Sequence, residues 1–170
     1  QLEENRRENA AELARLVRLA RQYEDIVFSV AVGNECTVDW TDHFVPVSHM
    51  VEYVRQVKAA VPQPVTFCEN YVPWQGKLRP LVDEVDFISV HTYPVWEYKH
   101  IHEALDYTKD NLASVTRLYP GKPVVITEAG WCTASNGRGM HAEHAVQELQ
   151  AIYYRDLMDW TRQVGVLCFV

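Results

Sequence analysis

The sequence predicts an α/β fold in which parallel strands alternate with helices. Short apolar runs rich in valine and isoleucine alternate with amphipathic segments of helical period, and this order requires crossover connections. Polar and aromatic residues follow four successive predicted strands, and no Gly-rich turn follows an early strand. An open doubly wound sheet and part of an eight-stranded barrel both fit the alternation. The polar strand ends favour the (β/α)8 barrel, which carries its active face at the carboxyl ends of its strands.

The first half of the chain contains three predicted helices and two predicted strands. The helices cover residues 4–23, 46–61 and 78–82, and the strands cover residues 26–32 and 65–68. Apolar side chains recur every three or four residues in the two long helices, which is the spacing of one helix face. The strands are continuous apolar runs of the kind that is buried on both faces.

The second half repeats the pattern. Strands are predicted at 85–90, in the apolar run that starts at Val124, and at 166–170, and helices at 101–118 and 142–162. Turn residues such as those at 120–121 separate the elements. The chain therefore predicts about five parallel strands and four to five helices.

Composition bounds the function. At 170 residues and 48% hydrophobic, the chain is long enough for one sizeable core and too short for two ordinary domains. A net charge of −7 argues against nucleic acid or an anionic membrane surface as the partner. No apolar run has membrane-spanning length. No cofactor motif is present, and the four cysteines match no zinc pattern, so free thiols are favoured over disulfides.

Two pairs of histidines are candidate metal ligands. His100 with His102, and His141 with His144, lack a carboxylate or cysteine at supporting helical spacing. They are more typical of solvated helix starts. We therefore predict no metal site and no cofactor.

The run from Val124 ends abruptly in Glu128, followed by Gly130 and Trp131. A charge at the end of a buried strand is unfavourable unless the strand opens into a solvated cleft. The strand 26–32 ends in a second carboxylate, Glu35. Two carboxylates that face each other across a cleft can divide the work of glycoside hydrolysis, one as proton donor and the other as nucleophile. Their separation decides between retention and inversion, and the sequence leaves it open.

The neighbours of the two glutamates fit a sugar site. Asn34 can hydrogen-bond a sugar 2-hydroxyl, and Tyr93 can donate a hydrogen bond that holds Glu128 ionised. Tryptophans at 74, 96 and 131 lie near strand ends, where a flat apolar ring can pack on a pyranose face. The alternative for each tryptophan is a place in the hydrophobic core.

Several segments together resemble glycoside hydrolase family 17, particularly its bacterial branch. They are Val-Gly-Asn-Glu at 32–35, residues 87–97 with His-Thr-Tyr-Pro, Thr-Glu-Ala-Gly-Trp within 126–131, the loop 135–138 and the stretch 66–74. Asn-Glu alone recurs across a superfamily of retaining barrels, whereas the combination is much more specific. The resemblance runs from about residue 10 to the end of the chain.

The resemblance implies a retaining enzyme that cleaves β-1,3-glucan through a covalent glycosyl-enzyme. Glu35 would be the general acid/base after the fourth barrel strand, and Glu128 the nucleophile after the seventh. Asn34 would contact the 2-hydroxyl and Tyr93 would orient Glu128. Glu69, Trp96, Glu97 and Trp131 would line subsites. The family suggests an extracellular or cell-envelope location. A transglycosylase with the same residues, and a noncatalytic sugar-binding partial barrel, are the alternatives.

The resemblance also implies a partial barrel. Residues 1–170 would correspond to strands four to eight, with the first three strands absent. The strands at 26–32 and 166–170 would then have open edges. We therefore expect a preceding part of a longer chain, or a second chain, to complete the barrel.

Overall fold

Four β-strands and six α-helices alternate in the computed structural model, which describes residues 2–170. The strands are β1 (Val30–Asn34), β2 (Val65–Asn70), β3 (Ile88–Thr92) and β4 (Val124–Ala129). The helices are α1 (Arg6–Gln22), α2 (Val47–Lys58), α3 (Tyr71–Trp74), α4 (Arg79–Val82), α5 (Ile101–Leu118) and α6 (Gln147–Val164). Short 3₁₀ turns cover Pro94–Glu97 and Ala142–His144. The predicted α/β class is confirmed.

The strands form one parallel sheet in the order β1-β2-β3-β4. Strands that are consecutive in sequence are thus neighbours in the sheet, as successive β–α–β units produce. In β1, Val30 pairs with Val65 and Asn34 with Cys68, and the register shifts between Ala31 and Asn34. This irregularity lies directly before Glu35.

The chain divides into two compact units. The first comprises residues 2–89 and 121–123, and the second comprises 90–120 and 124–170. The core of the first unit is formed by one face each of α1 and α2 together with β2 and α4. Its fully buried side chains include Val54, Val57, Phe67, Trp74 and Leu81.

The core of the second unit lies between α5, α6 and β4. Ala104, Val115, Ile126 and Leu157 have no exposed surface. One polar pair crosses this core, since the hydroxyl oxygens of Thr108 and Tyr153 lie 2.7 Å apart. Each hydroxyl is thereby satisfied, as burial requires.

Two predicted strands begin later than expected. The predicted strand 26–32 starts only at Val30, because the backbone N–H groups of Ile26 and Val27 donate to the Tyr23 carbonyl and continue the turn after α1. Ile26 is 75% exposed instead of buried. The predicted strand 85–90 runs from 88 to 92, because the Val85 N–H donates to Leu81 and keeps that residue in the turn after α4.

The carboxyl-terminal predictions also need correction. The predicted strand 166–170 is reduced to a single parallel bridge between Ile126 and Cys168, so the sheet has four strands where about five were predicted. The predicted helix 142–162 is a 3₁₀ turn followed by α6, because Val146 has extended backbone angles (φ −134°, ψ 155°).

The four cysteines are free, as predicted. Among residues 2–170, no helix is long and apolar enough to cross a membrane.

Candidate active site

Glu35 follows the last residue of β1 in a left-handed backbone conformation, with φ +44°. This region is unfavourable for a residue with a Cβ and persists only where the surroundings hold it. The Glu35 N–H donates to the Cys68 carbonyl of β2 at 3.0 Å. The sheet thus fixes the backbone of Glu35 at its amide.

Gly33 and Cys36 pack together beneath this turn. Gly33 has φ +89°, and a Cβ there would lie 3.0 Å from both Cys36 Sγ and Met50 Cε. Cys36 is fully buried, and burial raises the pKa of its thiol to about 12. A protonated, inaccessible thiol is a poor nucleophile, so Cys36 anchors the turn by packing.

Asn34 is exposed at the end of β1, and its carbonyl lies 3.2 Å from His43 Nε2. Its side chain is therefore accessible to a ligand, as the predicted contact with a sugar hydroxyl requires. That contact stays a prediction.

Among the expected site residues, Glu69 differs most from its expected role. The resemblance implies a subsite residue, but Glu69 has no exposed surface. Its Oε2 accepts hydrogen bonds from Thr37 N at 3.1 Å and Thr37 Oγ1 at 2.7 Å, and its Oε1 accepts from Asn70 N at 2.9 Å. Burial raises the pKa of Glu69, while the Thr37 and Asn70 donors oppose that rise. Sequence reasoning gave no role to Thr37.

Glu128 lies in the second unit, at the carboxyl end of β4, with 38% of its side chain exposed. Tyr93 Oη donates to Glu128 Oε2 at 2.7 Å, so the predicted hydrogen bond is present. The same oxygen lies 3.5 Å from Nδ1 of the buried His91. His91 had no predicted role, although its place just after the predicted strand 85–90 was a usable signal.

Gly130 explains part of the motif that follows the glutamate. A Cβ at Gly130 would lie 3.2 Å from the Tyr93 ring. Any larger side chain would push that ring, and with it the hydroxyl that reaches Glu128. The absence of a side chain two residues after the carboxylate therefore preserves the Tyr93–Glu128 contact.

Trp96 and Glu97 lie in the 3₁₀ turn after β3. The Trp96 ring is half-buried against Tyr93, with ring centroids 4.3 Å apart, and Arg138 lies 5.9 Å from its centroid. Glu97 is exposed. Both side chains remain accessible near Glu128's hydrogen-bond donor, which is compatible with their predicted place in a subsite.

Trp131 and Trp74 are core residues in this structure. Trp131 is 3% exposed, its Nε1 donates to the His144 carbonyl at 2.6 Å, and its ring packs on Tyr153. Trp74 is fully buried, and its Nε1 donates to the Ser89 carbonyl at 2.9 Å. Of the three tryptophans considered for sugar stacking, Trp96 has the accessible ring.

The arrangement places an accessible carboxylate at the end of β4 with a phenol donor on one oxygen. A carboxylate held by a hydrogen bond is ready to act as a nucleophile or to stabilise a cationic transition state. The end of β1 offers a second carboxylate on a backbone that is fixed by the sheet. Carboxylates are the groups that most glycoside hydrolases use.

Comparison with known proteins supports this chemistry. The model of the BtgE/BtgC glycoside hydrolase domain matches residues 1–170. No curated protein matches the chain. An endo-laminarinase from Formosa Hel1_33_131 is 27% identical, with a TM-score of 0.87 over 99% of this chain and 55% of its own.

A glycoside hydrolase family 17 β-1,3-glucanosyltransferase from Rhizomucor miehei is 26% identical, with a TM-score of 0.81 over 99% of this chain and 63% of its own. A GH113 β-mannanase from Alicyclobacillus acidocaldarius is 20% identical, with a TM-score of 0.61 over 89% and 45%. This last likeness shows a shared fold. The chain spans roughly half to two thirds of the length of these structures.

Proposed function

Because the chain belongs to the BtgE/BtgC glycoside hydrolase domain family, we propose that it is a retaining hydrolase of β-1,3-glucan, related to glycoside hydrolase family 17. The observation that carries the proposal is the environment of Glu128. Its carboxylate lies at a strand end, is partly exposed, and accepts a 2.7 Å hydrogen bond from Tyr93. Similarity to an endo-laminarinase supports the choice of β-1,3-glucan.

Glu128 acts as the nucleophile. Its carboxylate attacks the anomeric carbon, the glycosidic bond breaks, and a covalent glycosyl-enzyme forms. The Tyr93 hydroxyl holds one carboxylate oxygen in place, and so leaves the other to form the new bond. Water then releases the sugar with the original anomeric configuration.

Glu35 acts as the general acid and then as the general base. It donates its proton to the departing glycosidic oxygen in the first step and removes a proton from water in the second. A group with this task must keep its orientation through both steps. The hydrogen bond from Glu35 N to Cys68 supports that requirement.

The substrate subsites are built from accessible groups. Trp96 offers its ring face to a pyranose, Asn34 binds a 2-hydroxyl and Glu97 binds hydroxyls nearby. Trp131 supports the site from within the core, through its contact with His144. The substrate is a β-glucan oligosaccharide or polysaccharide.

Incubation of the full-length protein with laminari-oligosaccharides tests the proposal. We expect shorter products by mass spectrometry, and proton NMR should show the β-anomer first.

Glu128→Gln should abolish turnover of every substrate. Glu35→Gln should spare kcat/KM for an aryl glycoside whose leaving group needs no proton, because kcat/KM reports the first step alone. In a crystal structure with bound oligosaccharide, the two carboxylates should lie about 5 to 5.5 Å apart. Initial α-anomer, or a separation beyond about 9 Å, would contradict a retaining mechanism.

Transglycosylation is the second candidate. The similarity to a β-1,3-glucanosyltransferase favours it. The same two glutamates would serve, and a sugar hydroxyl would intercept the glycosyl-enzyme in place of water. The mass spectra separate the two reactions, because a transglycosylase makes products longer than its substrate.

A further inference from the structure

We infer that Glu69 is a positioning residue that holds the general acid/base Glu35 in its working orientation, and that it does not contact substrate. The inference rests on the proposed role of Glu35. It is carried by the hydrogen bonds that Glu69 makes to Thr37, two residues after Glu35, within the first unit.

The contact between Glu69 and Thr37 fixes both the backbone and the side chain of Thr37. Glu69 Oε2 accepts from Thr37 N at 3.1 Å and from Thr37 Oγ1 at 2.7 Å. Both residues are fully buried. Hydrogen bonds to a carboxylate are stronger than those between neutral groups, and burial strengthens them further. Thr37 therefore has one well-defined position.

Other contacts complete the hold on this turn. Lys77 Nζ donates to the Thr37 carbonyl. On the other side of Glu35, the Glu35 N–H donates to Cys68, and Cys36 is buried between them. The chain is thus pinned immediately before and immediately after the short segment that contains Glu35.

Glu35 needs such support because of its backbone conformation. At φ +44° a residue with a Cβ is strained, and a free chain would relax to negative φ. Relaxation would turn the Glu35 side chain away from its present direction. Glu69 keeps the strained conformation by holding Thr37, and so controls where the acid/base carboxyl points.

A direct role of Glu69 in substrate binding does not fit the structure. The side chain has no exposed surface, and both carboxylate oxygens already accept hydrogen bonds from protein donors. A sugar hydroxyl has no access to either oxygen. A buried carboxylate with three donors is typical of a supporting group.

The test compares two substrates in the full-length protein carrying Glu69→Gln. The amide keeps the shape but carries no negative charge, so its hydrogen bonds from Thr37 are weaker, and its NH₂ group loses the bond from Asn70 N. We expect kcat and kcat/KM for laminari-oligosaccharides to fall about 100-fold, the loss that a small displacement of a catalytic group produces. For a dinitrophenyl glycoside, kcat/KM should change less than about 3-fold, because it reports the first step alone and this leaving group needs no protonation.

Matched threonine variants provide the control. Thr37→Val removes the hydroxyl that bonds Glu69, and should show the same selective loss. Thr66→Val removes another buried hydroxyl, which bonds Phe87 and Ser89, and should affect both substrates alike or neither. Thermal unfolding reports whether each variant is folded. If Glu69→Gln does not fold, Thr37→Val and Thr37→Ser carry the test, and Ser should restore most of the activity.

The outcomes separate this inference from the proposed function. An equal loss on both substrates would show a purely structural role for Glu69, and a raised KM with normal kcat would show a subsite role. Either result would overturn the inference. In the double variant with Glu35→Gln, we expect no further loss beyond that of Glu35→Gln alone. If the wild-type protein cleaves no laminari-oligosaccharide, or Glu35→Gln fails to spare the aryl glycoside, it is the proposed function that fails.

Discussion

The Tyr93 hydroxyl donates to Glu128 Oε2 at 2.7 Å, and the Tyr93 ring packs against the Trp96 ring and lies close to the backbone of Gly130. The phenol therefore has little freedom to leave the carboxylate. A fixed donor on one oxygen of a nucleophile lowers the reorganisation that the reaction requires.

Tyr93→Phe should lower kcat/KM about 10- to 100-fold. A hydrogen bond to a charged group contributes about 1.5–3 kcal/mol, which converts to that range. The loss should be similar for oligosaccharides and activated aryl glycosides, since the nucleophile acts in the first step on both. Tyr98→Phe is the matched control, because it removes the same hydroxyl from a side chain that is 69% exposed. A loss confined to oligosaccharides would contradict the assigned role.

Trp74→Phe should reduce stability without changing KM, whereas Trp96→Phe should raise KM without reducing stability much. Trp74 is buried and bonded to Ser89, so its replacement should reduce the free energy of unfolding by about 1–3 kcal/mol. KM for oligosaccharides should stay unchanged. Trp96→Phe should raise KM with little effect on stability, because its ring is accessible. Denaturant titration and steady-state kinetics on the two proteins test both halves, and a raised KM in Trp74→Phe would show that Trp74 reaches substrate.

Gly139→Ala should unfold more easily than Gly137→Ala. Both glycines have positive φ, so alanine meets a similar backbone strain of about 1–2 kcal/mol at each. A Cβ at Gly139 would also lie 2.2 Å from the Val95 carbonyl oxygen, whereas nothing lies within 4 Å at Gly137. The difference between the two variants in chemical denaturation isolates the contact with Val95. Gly139→Ala should also raise KM, because Trp96 follows Val95 directly. Equal stability of the two variants would show that the close approach of Gly139 to Val95 does not contribute to stability.

Asp86 should contribute stability that is lost in acid. Burial alone would raise its pKa, but hydrogen bonds from Lys58 and from Val65 N together lower it. A lowered folded pKa means that the contribution is present above the unfolded value of about 3.9 and disappears as pH falls through the folded pKa. Asp86→Asn should cost about 1 kcal/mol at pH 7, after allowance for partial exposure, and much less at pH 3. Urea titration across this pH range measures the difference, with Asp110→Asn as an exposed control. A cost independent of pH would contradict the electrostatic origin.

The sequence by itself determined the fold class and the order of the elements. Helix α5 begins and ends at the predicted residues, because its apolar period and its flanking turn residues agree. It also placed Glu35 and Glu128 at strand ends, and the phenol of Tyr93 beside Glu128. The sequence did not determine the strand boundaries, since a short apolar run does not show which backbone groups find hydrogen-bond partners. Ile26 and Val85 fit a strand pattern, but their N–H groups close turns instead.

Only the tertiary structure decided which polar and aromatic side chains are accessible. Trp74, Trp96 and Trp131 have the same chemistry and similar places after strands, yet only Trp96 keeps an accessible ring. The sequence resemblance makes Glu69 a subsite residue, whereas in the structure it is buried and hydrogen-bonded to Thr37. Burial and hydrogen-bond partners depend on residues far apart in the chain, and the local sequence pattern does not predict them. The strained backbone conformation of Glu35 also depends on a distant residue, because its N–H donates to Cys68 of β2.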